Sequence, residues 1–202
     1  MVKRLTPAFF DRPTLIVAEE LLGCFLCRKL GKEIVRMEIT EVEAYYGFED
    51  RASHAHRGQT ARNAPMFGEA GRWYVYFTYG MHWMLNIVTG PAGYPAAVLI
   101  RGTKEVSGPA RLTRFLKIDK RFNDKKAAVQ TGLWIEARPP MMRKGKPVRL
   151  KIKRTPRIGV AYAGARWGNK PYRFTMSKAS AMTGCGHDMP AATRLAQFRM
   201  RR

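Results

Sequence analysis

The sequence predicts an α+β fold: a single compact domain over residues 1–202, with a curved, mostly antiparallel sheet flanked by helices and a protruding β-hairpin. Three observations carry this reading. Runs rich in β-branched and aromatic residues recur between glycines, as in "CFLCRKL", "GKEIVRMEITEVEAYY", "RWYVYFTYG" and "YPAAVLIRG". Short helical segments are scattered among these runs. The third run turns back at Tyr79-Gly80 into "MHWMLNIVTG", the second arm of a hairpin.

The remaining elements follow in order. "TPAFFDRP" is a turn punctuated by proline. "PTLIVAEELLG" is a short helix ended by Gly23. "GPARLTRFLKI" starts a helix near Pro109 and puts Leu112, Phe115 and Leu116 on one face. "RIGVAY" has the composition of a further strand. Residues 175–202 read as a weakly structured tail with at most a short last helix, and no internal repeat is visible.

Charge narrows the function. The formal net charge is +22, and it is lopsided. Residues 1–100 carry 11 basic and 10 acidic side chains, whereas residues 101–202 carry 26 and 5. A field of this size and sign attracts polyanions, nucleic acid first among them. A membrane surface fits less well, because no long basic amphipathic helix or lipidation motif accompanies the charge. "MVKRLTPAFFDRP" lacks the apolar run of a secretory signal, so a protein that is not secreted is expected, cytoplasmic and nucleoid-associated in a bacterium or nuclear in a eukaryote. Cys24 and Cys27 have CxxC spacing, and Cys185 precedes Gly186 and His187. Yet "LLGCFLC" is an apolar run without the turn residues of a zinc knuckle, so neither a metal nor a cofactor is expected.

Against this basic background "EVEAYYG" stands out. Unbroken strand alternation puts Met37, Ile39, Glu41, Glu43 and Tyr45 on one face, apolar at one end and acidic and aromatic at the other. Such a strand runs from a core into a cleft. "SHAHRG" and a cluster of Trp73, Tyr74, Tyr76, Phe77, Tyr79 and Trp83 follow, and Tyr76 and Asn86 can share a face across the hairpin. Flat aromatic walls with one carboxylate, one histidine and one arginine suit a planar heterocycle. Chemistry on a base requires that base outside the helical stack. A carboxylate beside it can activate water and stabilise an oxocarbenium-like sugar cation, the logic of glycoside hydrolysis applied to a nucleoside. A non-catalytic RNA- or DNA-binding module accounts for the basic half but not for Glu43 beside Tyr45. A protein-interaction scaffold accounts for neither.

"ITEVEAYYGFEDRASHAHRGQTARNAPMFGEAGRWYVYFTYGMHWMLNIV", with "AAVLIRG", "SGPARL" and "RIGVAYAG", resembles the alkyladenine (3-methyladenine) DNA glycosylase family of the methylpurine type, from about Leu5 to Phe174. The helix-hairpin-helix motif of the other alkyladenine glycosylases is absent from the sequence. The resemblance implies a monofunctional hydrolase that acts as a monomer on double-stranded DNA containing damaged purines. It implies Glu43 as the general base that deprotonates the attacking water. Arg101 then helps hold that water and the carboxylate, and the backbone near His54 touches both base and water. Tyr45 and His54 match one wall of the base pocket and Tyr76 the other. Asn86 matches the residue that disfavours a normal guanine amino group, and Tyr79 the aromatic that fills the gap left by the flipped nucleotide. The sequence departs from the family at Ala61, where proline is frequent, and in the segment after Phe174. Glu41 receives no role from the resemblance.

Overall fold

The computed structural model describes residues 3–140, 142–143, 146–147 and 150–176. Its strands are β1 (Phe25–Leu30), β2 (Glu33–Tyr46), β3 (Trp73–Thr78), β4 (His82–Val88), β5 (Ala96–Thr103), β6 (Leu133–Glu136), β7 (Met142–Arg143), β8 (Lys146–Pro147), β9 (Ile152–Thr155) and β10 (Arg173–Met176). Helices α1 (Pro7–Phe10), α2 (Thr14–Leu21), α3 (Pro109–Phe115) and α4 (Gly164–Gly168) are short. Eight strands form one curved antiparallel sheet in the order β3-β4-β5-β2-β1-β6, with β10 against β2 and β9 beyond it.

The 14-residue β2 is the spine. Its first half pairs with β1, its second half with β10, and β5 covers the other edge from Ile39 to Tyr46. Two opposite register shifts around Glu41 mark a bulge in which Thr40 on β2 and Arg101 on β5 each go unpaired in the β2–β5 ladder. A bulge adds one residue and so exchanges the faces beyond it. Met37 and Ile39 therefore share the core with Val42 and Ala44, while Tyr45 opens on the opposite face into a cleft. This corrects the expectation that Met37, Ile39, Glu43 and Tyr45 share one face, since unbroken alternation does not survive the extra residue.

The core lies under helices α2 and α3, where Leu21, Leu22, Leu85, Ile87, Ile100, Leu112 and Leu116 are fully buried. Trp73 is buried with them, and its indole donates to the Leu133 carbonyl at 3.1 Å, which meets the one polar requirement of that side chain. The opposite sheet face carries the cleft. β3 and β4 form the predicted hairpin. Thr78 O accepts from Met81 N at 3.1 Å, and Tyr79 and Gly80 both have positive φ (51° and 63°). That is the geometry of a type I′ turn, which suits a hairpin but puts a tyrosine in a region that favours glycine.

Other expectations need amendment. "TPAFF" is a one-turn helix, not a plain turn. "RIGVAY" is not a strand: residues 157–160 are irregular and run into a 3-10 turn at Ala161–Ala163. Gly159 has φ +77°, and the Ile158 amide donates to a side chain instead of to a ladder. β6, β9 and β10 are additions to the sequence reading. Thr175 and Met176, assigned to the tail, complete β10; residues 177–202 and Cys185 lie outside the described residues.

Arg157 and Asp50 form an ion pair with both side chains wholly buried. Arg157 Nη1 and Nη2 donate to Asp50 at 2.6 and 2.8 Å, and Nη1 also donates to Ala44 O at 2.9 Å. Burial by itself pulls the arginine pKa down, but the hydrogen bonds and charge of Asp50 more than offset it, so the net direction is up. Asp50→Ala is expected to cost about 3–5 kcal/mol in urea unfolding, because it strands a buried cation. A loss below about 1 kcal/mol contradicts that role.

Candidate active site

Strand register lays out the site. Tyr74 pairs with Asn86, Asn86 with Leu99, Leu99 with Glu43, and Glu43 with Arg173, one row across β3, β4, β5, β2 and β10. Two rows flank it, with Tyr76 opposite Met84 on one side and Tyr45 in line with Ala97 and Val88 on the other. The side chains above these rows line a cleft of about 820 Å³ that includes Tyr45, His54, Tyr76, Asn86, Tyr79 and Arg101. The register gathers Tyr45, Tyr76 and Asn86, the 3-10 turn His54–Arg57 adds His54, and the buried Glu43 is bonded to the lining through Tyr45.

Glu43 is completely buried. Its Oε2 accepts from the Tyr45 hydroxyl at 2.8 Å and from Arg101 Nη1 at 3.3 Å. Its Oε1 accepts from the Ile158 amide at 2.8 Å. A buried carboxylate is tolerable because these donors replace water. Burial, and then the charge and hydrogen bond of Glu43, raise the Tyr45 phenol well above its usual range, so Tyr45 stays a donor. Arg101 is shared: its Nε donates to Glu41 Oε1 at 2.9 Å. Glu41 also accepts from Arg173 Nε at 2.7 Å.

The aromatic walls come from two clusters. Tyr45 packs with Ala52, Val160, Ala163 and Trp167. Tyr76 packs with Tyr74, Met66 and Ala55. His54 joins the second wall: its ring meets Tyr76 edge-on with centroids 4.5 Å apart, and its Nδ1 is hydrogen-bonded to the Tyr74 hydroxyl at 3.0 Å. This corrects the expectation that His54 shares a wall with Tyr45 across from Tyr76, since rings in contact leave no room for a base between them. Burial pushes the Tyr76 phenol up to about 12. Asn86 is buried and donates to the Tyr74 carbonyl at 3.0 Å, which fixes its amide at the cleft.

Several residues of the site carry no role in the sequence reading. Asn63 of "RNAPMF" is buried, and its amide donates to the carbonyls of His54 and Gly58 at 2.9 and 3.0 Å. It thereby shapes the turn that carries His54. Arg62 donates to Phe77 O and lies 5.4 Å from the Tyr76 ring centre. Arg157 sits 4.6 Å from the Tyr45 ring centre, behind the wall. Tyr79, which the resemblance casts as the gap-filling aromatic, is 82% exposed at the hairpin tip. Cys24 and Cys27 are buried thiols, and burial raises the pKa of both. Among the described residues no group of three or more His, Cys, Asp or Glu could hold a metal ion.

Fold and cleft define a class: a basic α+β protein whose aromatic walls stand over a buried carboxylate, a site shaped for a planar ring. Comparison with known proteins narrows it. The family described as methylpurine-DNA glycosylase (MPG) matches residues 8–108 and 103–180, and the chain belongs to that family. A relative from Methanocella arvoryzae is 40% identical over 186 residues, spanning 82% of this chain and 88% of its own. One from Anaeromyxobacter dehalogenans is 39% identical (86% and 82%), and one from Streptomyces avermitilis 40% (84% and 86%). All three carry the provisional name 3-methyladenine DNA glycosylase.

Burial, with a smaller contribution from Arg62, lowers the His54 pKa from its ordinary 6.5. The unfolded chain then binds more protons than the folded one below that pH. The contribution of His54 to stability is therefore complete above about 6.5 and is lost as pH falls toward the depressed folded value. His54→Gln should flatten the decline in stability between pH 7 and 5, measured by urea unfolding against wild type. An unchanged or steeper decline contradicts a depressed His54.

Proposed function

We propose that the protein is a monofunctional DNA glycosylase. It flips alkylated or deaminated purines (3-methyladenine, 7-methylguanine, hypoxanthine, ethenoadenine) out of duplex DNA and hydrolyses their N-glycosidic bond, leaving an abasic site. The observation that carries this is Glu43, a buried carboxylate in direct hydrogen bond with a wall of an aromatic cleft. Family membership and the names of the relatives support methylated purines among these substrates.

In this mechanism Tyr45 stacks on one face of the flipped purine, and Tyr76 with His54 on the other. Base–aromatic stacking returns about 1–3 kcal/mol per base, against a few kcal/mol for unstacking the duplex. N-methylated purines are cationic, so the phenol faces add a cation–π contribution. Oε2 of Glu43 already has two donors, whereas Oε1 has one. A carboxylate oxygen accepts two bonds, so Oε1 keeps the capacity to take the proton of an attacking water. As the bond to the purine breaks, the carboxylate also faces the developing sugar cation. Arg51, Arg57 and Arg62 at the cleft suit the flanking phosphates. The exposed Tyr79 fills the vacated stack.

The test is a duplex with one damaged purine, incubated with protein and then with alkali. Free base and alkali-dependent breaks at the lesion are expected, with no break before alkali. Binding without base release is the outcome of a non-catalytic module and overturns the proposal. On the same duplex Tyr79→Gly separates wedge from fold: it relieves an αL tyrosine strained by about 1–2 kcal/mol, so stability should hold or rise. Lesion-duplex affinity should nevertheless fall about tenfold or more.

A further inference from the structure

We propose that Glu41 is a positioning residue that keeps Arg101 from closing a two-pronged ion pair on Glu43. The inference rests on the reading of Glu43 as the group that activates water, and it assigns a purpose to the acid beside it. The geometry is specific. Glu41 sits at the bulge of β2, opposite Gly102, with its side chain 17% exposed. A single oxygen, Oε1, accepts from Arg101 Nε at 2.9 Å and from Arg173 Nε at 2.7 Å. Arg173 is itself tied to Thr155 Oγ1 at 3.3 Å on β9, so Glu41 is held from a second side.

Arginine and carboxylate prefer a fork-on-fork pair with two parallel hydrogen bonds. A free Arg101 next to the buried Glu43 would adopt that arrangement and occupy both carboxylate oxygens. It does not do so here. Glu41 takes the Nε edge of the guanidinium, and Arg101 reaches Glu43 through Nη1 alone, at the longer distance of 3.3 Å and only on Oε2. Oε1 is left with the Ile158 amide and one unused acceptor site. The neighbouring glutamate thus protects the proton-accepting oxygen. Arg173 offsets the charge that a second carboxylate brings, which explains why two acids stand two residues apart beside two arginines.

The test is a double-mutant cycle on single-turnover release of a damaged purine, with lesion-duplex affinity measured alongside. Glu41→Ala should slow release about tenfold to a hundredfold, with affinity held within about threefold. Glu41→Gln, whose amide oxygen still accepts from both arginines, should recover most of that rate. Glu41→Ala combined with Arg101→Ala should be no slower than Arg101→Ala alone, because the effect of Glu41 passes through Arg101. Should the alanine variant not fold, Glu41→Met removes the acceptor while keeping the bulk and enters the same cycle. Wild-type release by Glu41→Ala, or a double variant whose losses multiply, overturns the proposal. If Glu43→Gln also releases base at the wild-type rate, the functional reading itself has failed; if only the Glu41 variants are silent, this inference alone has failed.

Discussion

The buried Arg157–Asp50 pair is the constraint around which the site is arranged. One guanidinium joins the loop at Asp50, the carbonyl of Ala44 on β2 and, at 3.4 Å, the carbonyl of Trp167 at the end of α4. Its face backs the Tyr45 ring. Because Arg157 is fixed, the next residue is fixed too, and the Ile158 amide lands on Glu43. Replacing such a pair with apolar residues is often harmless to stability, so its value here is register: it sets a loop against a strand to within a hydrogen bond. Separating the pair would leave a buried charge uncompensated, and that penalty opposes drift of the segment.

The second constraint is the bulge at Glu41. A strand with one face in the core and the other in a polar cleft cannot place Met37 and Glu43 on one face without burying an acid among aliphatics. The extra residue resolves the conflict. Upstream of it, odd-numbered residues pack inward; downstream, even-numbered ones do, and Tyr45 lines the cleft with the buried Glu43 bonded behind it. Glu41 and Glu43, beside this irregularity, both bind Arg101.

Much of this was legible in the sequence. The hairpin, β1, β2, β5 and the helices over residues 14–21 and 109–115 follow from residue type, periodicity and glycine punctuation, because each is a local pattern. Glu43, Tyr45, Tyr76, Asn86 and Arg101 converge as the motif strings imply. What was not legible depends on long-range partners. "RIGVAY" has strand composition, but its Arg157 side chain answers to Asp50 and its Ile158 amide to Glu43, more than a hundred residues away. β9 and β10 are short, and only the pairing of β10 with β2 and of β9 with β10 makes strands of them. The placement of His54 against Tyr76 turns on Asn63 and Tyr74, which no spacing rule connects.

Everything functional in this account passes through one carboxylate. The most direct test is single-turnover release of a damaged purine from duplex DNA by Glu43→Gln. The amide keeps the shape and the contact with Tyr45 but cannot take a proton from water. Release should slow by at least about a hundredfold, with lesion-duplex affinity unchanged or higher. Release at a rate close to wild type, from a variant that binds as well, would contradict it.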